Sequence, residues 1–343
     1  MMKTSWKRFL LLQLPGTALI LALAVQGLAF SLSDVPMLRN RSDELALAVL
    51  KDPTEYRVLL FGDSITRIST VRFSLGAPGE VANLSAFADT GLVGSLFFLH
   101  RYLGTHASPE HVVVALAPAN YHRENDTRVS RYNLWHTFRQ PNERDFLRTY
   151  VPGIEQRDWL PAILDVRERL VEPFFSFLIQ WRLAPRIEAG SLSANADAPV
   201  EFAVRAEVVE DQLFGDSRNL TPSAMNAEAL SRVCDLGKNY GFRIDIVWPP
   251  MPPQLESMLA SNGALADLES RIRSVMEAGH CDFDGFTDFN KIRTYPNRAF
   301  GGDLTHLLGD GWEQRYAADM REYLSSLRGK PTGWQAGSAG LAR

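Results

Sequence analysis

Cysteine is scarce in this chain of 343 residues: Cys234 and Cys281 are the only two. That excludes a disulfide-rich scaffold and any four-cysteine zinc site. Two readings stay open for the pair: one disulfide if the domain lies outside the cytoplasm, or two buried thiols. An excess of positive charge is missing as well. Lys and Arg number 36 against 40 Asp and Glu, a formal net charge of −4, and no nucleic-acid surface is implied. No cluster with metal-ligand spacing, no phosphate-cradling Gly loop and no dinucleotide fingerprint occurs, so no metal and no cofactor are implied. There is no internal repeat. The apolar and charged fractions are ordinary for a globular protein of a size that builds a sizeable core.

One long apolar run is present. Lys3, Lys7 and Arg8 precede Phe9–Phe30, which carries no charge over 22 residues. That is long for the apolar core of a signal peptide and close to the span of a bilayer. Residues 1–32 are therefore expected to be an N-terminal signal anchor, a single transmembrane helix. A cleaved signal peptide is the alternative, with Ala22-Leu23-Ala24 and Gly27-Leu28-Ala29 as cleavage sites. In both cases the positive flank stays inside and the remainder is exported.

Residues 50–330 alternate short apolar runs with amphipathic stretches. Arg57–Phe61, Glu80–Ser85, His111–Ala117, Phe242–Trp248 and Cys281–Phe286 read as strands. Helices are expected from about Ser42 to Leu50, Thr90 to Leu103, Pro222 to Tyr240 with Pro in its first turn, Gln254 to Ala278, and Gly311 to Leu327. This alternation argues for an α/β fold with a doubly wound parallel sheet. The rhythm lapses at 121–221, read as a helical insertion or cap with helices near 158–170 and 174–187. Its Trp135, Trp159 and Trp181 either line a sugar or acyl site or form the cap's own small core. Residues 331–343 have a disordered-tail composition.

The chemistry centres on Gly62-Asp63-Ser64, directly after the first strand. A strand-to-helix turn puts the Ser64 hydroxyl at the carboxyl edge of a parallel sheet, where open α/β sheets bind ligands. Gly62 is expected to supply the close approach and positive φ of a tight turn. A serine nucleophile needs a base, and imidazole serves near neutral pH. His306, with Asp303 three residues before it to fix its tautomer, lies ahead of the last helix. The oxyanion needs donors in place. The backbone near Ala88 and the Asn120 amide follow the next two strands. Taken singly, each of these residues is also an ordinary turn or loop residue.

The ordered set resembles the SGNH (GDSL-like) hydrolase superfamily. Gly62-Asp63-Ser64 matches its first block and Asp303-x-x-His306 its last. Asn83–Thr90 is similar to its second block, with Ala88 in the place of the oxyanion glycine. Pro118-Ala119-Asn120 is similar to its third, with Pro in place of Gly. The resemblance implies a three-layer, SGNH/flavodoxin-like α/β domain. It implies Ser64 as nucleophile, His306 as base and acid, Asp303 as orienting carboxylate, and Ser64, Ala88 and Asn120 as the oxyanion hole. The anchor and the run Asp303–Trp312 resemble the membrane-anchored branch that includes DltD-type and alginate O-acetylation proteins. The expectation is O-acyl transfer to, or removal from, an envelope or exported polysaccharide, at the inner membrane with the catalytic domain periplasmic. A membrane-bound O-acyltransferase is the expected partner. A general SGNH esterase or lipase and a non-catalytic assembly subunit are the alternatives.

Overall fold

The computed structural model describes residues 41–86, 90–124, 128–155, 220–300 and 306–327, with nine residues between 13 and 24. The chain divides into two units, Met1–Asn40 with Glu155–Leu192 and Arg41–Ile154 with Ser193–Arg343. In the first, the described residues between 13 and 24 are helical. Leu14, Leu19, Ile20, Leu21 and Leu23 are all exposed. Among the described residues no helix is long and apolar enough to cross a membrane; the rest of Phe9–Phe30 lies outside them.

The second unit contains a parallel five-stranded sheet. Its strands are β1 (Val58–Gly62), β2 (Val81–Asn83), β3 (His111–Ala115), β4 (Arg243–Trp248) and β5 (Phe283–Asp288), in the order β2-β1-β3-β4-β5. β1 is buried along its whole length. Successive side chains in a strand point to opposite faces. Leu59 and Phe61 accordingly enter one core, while Val58 and Leu60 enter the other. Val112 and Val114 of β3 face the same way as Leu59 and Phe61, with Val113 and Ala115 opposite.

Helices cover both faces. On the Phe61 side lie α1 (Arg41–Lys51), α3 (Gly91–Leu103), α7 (Ala224–Tyr240), α8 (Pro253–Ser261) and α9 (Ala264–Ala278). On the Leu60 side, α11 (Gly309–Ser326) contributes Tyr316, Met320 and Leu324 and packs on α2 (Ser64–Thr70). Two short helices complete the carboxyl edge, α4 (Ala119–His122) and α10 (Phe289–Ile292).

Two expected helices differ in detail. The 254–278 stretch is two helices, because Gly263 takes φ 74° between α8 and α9, a left-handed conformation that ends one helix and starts the next. The helix expected from Pro222 starts two residues later. Ser223 is its N-cap, and its hydroxyl accepts from Asn226 N, so Pro222 precedes the cap and does not sit in the first turn.

Part of the insertion belongs to the α/β core. α5 (Arg128–Thr137) and α6 (Pro141–Tyr150) pack together, and Leu134, Phe146 and Leu147 join the core beneath α3. Phe97 meets Phe138 and Phe146 edge to face, at centroid distances of 4.8 and 5.5 Å. Arg101 grips the fully buried Glu143 with both its Nε and Nη2, at 2.6 and 2.7 Å. Arg144 stacks on Trp135. The helices expected at 158–170 and 174–187, Trp159, Trp181 and the 331–343 tail lie outside the described residues.

Cys234 on α7 and Cys281, just ahead of β5, are joined in a disulfide, with 5.2 Å between their Cα atoms. This selects one of the two readings left open by the sequence. The bridge spans 47 residues and ties α7 to the edge strand. Closing a loop of that size restrains the unfolded chain. Replacing both cysteines by Ala is expected to lower unfolding stability by about 2–4 kcal/mol. Urea denaturation under non-reducing conditions checks this.

Candidate active site

β1 ends at Gly62 and α2 begins at Ser64, leaving Asp63 alone between them. Asp63 is the N-cap of α2, extended at φ −88°, ψ −167°. Its Oδ1 accepts from Ile65 N at 3.0 Å and Thr66 N at 3.3 Å, two of the amides a helix start leaves without partners. Gly62 does not take the positive φ expected of it. Space is the reason for glycine. A Cβ there would lie 2.6 Å from Thr66 Cβ and Cγ2 and 2.7 Å from Ser85 Oγ.

The second oxygen of Asp63 reaches across the sheet edge. Oδ2 accepts from Ala117 N, just past β3, and from Asn120 Nδ2 on α4, both at 2.8 Å. The carboxylate is 1% exposed and collects four N–H donors. Burial holds its pKa above the usual carboxylate range, an effect that the amides of Ala117, Thr66 and Ile65 and the nearby His306 only partly offset. Asn120 is therefore fixed beside the turn that carries Ser64. Among the described residues nothing takes the second N–H of its amide.

His306 completes the arrangement. Its Nε2 lies 2.9 Å from Ser64 Oγ, and both residues are partly exposed. With the ring proton on Nδ1, Nε2 accepts the serine hydroxyl, the geometry a general base requires. The segment is pinned by an antiparallel bridge between Phe300 and Leu307 and by Leu308 N donating to Ala299 O at 2.7 Å. Leu307 is buried in the core on the α11 side. One turn into α2, Thr66 Oγ1 donates to Ala115 O at 2.9 Å and pairs with Tyr316 OH of α11 at 3.2 Å. The helix that starts with Ser64 is thus tied to the helix that follows His306.

The second strand leads toward the same edge. Asn83 Oδ1 accepts from Ser85 N, and Ala86 N donates to Gly62 O at 2.8 Å, so the chain runs beside the serine turn. Ala88 and Asp303 lie outside the described residues. The structure thus brings together Ser64 and His306, and holds Asn120 through Asp63.

Sequence reasoning passed over Asp63 as a turn residue. An Asp directly before a helical stretch is an N-cap signal and would have suggested half of its role. Nothing local to Tyr316 or Asn226 marks them, because their partners are distant in the chain.

No family model and no curated protein matches this chain. Among solved structures it is similar to one from Streptococcus pneumonia that is provisionally assigned as a platelet activating factor. The identity is 12%, the TM-score is 0.37, and the match covers 88% of this chain and 99% of that one. So distant a likeness assigns neither a fold nor an activity.

Two substitutions test the turn. Asp63→Asn leaves buried amides facing an NH2 group and is expected to cost about 2–4 kcal/mol of stability, read by chemical denaturation. Gly62→Ala is expected to destabilise by about 1–3 kcal/mol, because the new methyl overlaps the Thr66 side chain. A stability equal to that of the parent would contradict the close packing described for this turn.

Proposed function

We propose that this chain is a serine-dependent acyl-transfer enzyme of SGNH type, tethered outside the cytoplasmic membrane and acting on O-acyl groups of an envelope or exported polysaccharide. The observation that carries the chemistry is the 2.9 Å contact between His306 Nε2 and Ser64 Oγ at the carboxyl edge of a parallel sheet. Ser64 Oγ attacks the acyl carbonyl as its proton passes to His306 Nε2. The tetrahedral oxyanion is received by the amide of Asn120 and the backbone of Ser64 and Ala88. Collapse of the intermediate expels the alcohol, which takes the proton back from His306. An acceptor hydroxyl, activated by the same imidazole, then releases the acyl group from Ser64. Asp303 is assigned to orient the imidazole.

Three features support this reading beyond the pair itself. Along the chain the serine follows β1, Asn120 follows β3 and the histidine precedes the last helix, which is the order of the SGNH blocks. The Phe9–Phe30 run supplies a tether. The Cys234–Cys281 disulfide suits an oxidising compartment such as the periplasm. A membrane-bound O-acyltransferase is the partner we assign as acyl donor. If water is the acceptor, the same residues make an esterase.

The full-length chain in detergent, treated with a fluorophosphonate probe, is expected to be labelled at Ser64, as mapped by mass spectrometry. Ser64→Ala should abolish labelling and His306→Ala should slow it about a thousandfold or more. A folded protein that stays unlabelled would refute the catalytic reading and favour an assembly role. Acyl-oligosaccharide formation exceeding hydrolysis would identify a transferase, and the reverse an esterase.

A further inference from the structure

The α4 turn that carries Asn120 is only four residues long, and its end carbonyls need partners from elsewhere. They find them on α7. Asn226, in the first turn of that helix, is fully buried. Its Nδ2 lies within hydrogen-bond distance of three carbonyls at the turn, Asn120 O at 3.1 Å, Tyr121 O at 2.9 Å and Arg123 O at 2.8 Å, which share its two N–H groups. Those partners lie 103 to 106 residues back in the chain. Ser223, the cap of α7, adds a contact from its hydroxyl to Arg123 O and one from its amide to Tyr121 O, and touches neither atom of Asn120.

Asn120 is therefore held from two sides. Asp63 takes one N–H of its side chain, and Asn226 holds its main chain. An oxyanion donor is effective only when its direction is set before charge develops. Ser223 and the turn's own backbone bonds hold its other residues, and Asn226 is the side chain that reaches the carbonyl of Asn120 itself. With its carbonyls fixed as well, the free N–H of Asn120 has one direction.

We infer that Asn226 is a positioning residue for the oxyanion site, acting through Asn120 and never touching the reacting atoms. This rests on the acyl-transfer reading above and extends it to a residue on a different helix. A fluorophosphonate places its phosphoryl oxygen where the oxyanion would form, so its labelling rate reports on that site. A structural role alone would lower stability without singling out this step.

The test measures the second-order rate of fluorophosphonate labelling at Ser64 in full-length protein, with thermal unfolding alongside. Asn226→Ala is expected to slow labelling tenfold or more. In an Asn120→Ala background the same change is expected to have less than a twofold effect, because the group it positions is gone. Ser223→Ala, which removes the cap bond to Asn226 N and the contact to Arg123 O but keeps the contact of Asn226 Nδ2 with Asn120 O, is expected to lower the unfolding temperature and keep the labelling rate within twofold. A folded Asn226→Ala protein labelled at the parental rate overturns the inference while leaving the acyl-transfer reading intact. Equal slowing in the presence and absence of Asn120 also overturns it. An unlabelled parent overturns the acyl-transfer reading, and the inference with it. Should Asn226→Ala fail to fold, Asn226→Ser, which keeps one donor, is judged by the same outcomes.

Discussion

The buried carboxylate of Asp63 is the interaction on which the site depends. An ionised carboxylate out of water is tolerable only when its lone pairs are met by donors. Here four N–H groups meet them, two from α2, one from Ala117 two residues past β3 and one from Asn120 on α4. These segments are far apart in the chain. They converge because β1 and β3 are paired in parallel, with Gly62 opposite Ala115. The sheet must form before the carboxylate is satisfied, and the carboxylate in turn fixes how the strands hand over to the helices at the carboxyl edge. Ser64 is left at the rim because its neighbour turns inward.

The histidine side of the site is built from the opposite face of the sheet. His306 directly precedes Leu307, which bridges to Phe300, and α11 starts two residues further on, anchored under the sheet by Tyr316, Met320 and Leu324. The contact between Tyr316 and Thr66 links that face to the helix that starts with Ser64. The 2.9 Å distance between His306 Nε2 and Ser64 Oγ therefore depends on how α2 and α11 pack. Asn120 depends on the other face, through α7 and Asn226. Each functional group is supported by a different layer, and they meet only at the edge.

The insertion shows how a break in sequence rhythm differs from a break in packing. α5 and α6 interrupt the alternation of strands and helices, yet Phe146 and Leu147 fill the same core as α3. Glu143, with its charge matched by Arg101, also caps α6 by accepting from Gln140 N. One buried carboxylate thus sets the local start of a helix and its docking onto the domain.

Strand positions and the α/β alternation were readable from the sequence, because a buried parallel strand demands an unbroken apolar run and the chain has few others. The residue types of a serine–histidine pair, and their order along the chain, were readable for the same reason: the chemistry restricts which side chains can serve. Helix boundaries at Gly263 and Ser223 were not, because a long amphipathic pattern does not show where a left-handed residue or a cap interrupts it. Only the tertiary structure decided that Gly62 is needed for space rather than for its backbone angle, that the two cysteines pair, and that Asp63 and Asn226 hold Asn120 between them. Those features depend on atoms brought together from segments tens to hundreds of residues apart, and local sequence carries no record of that proximity.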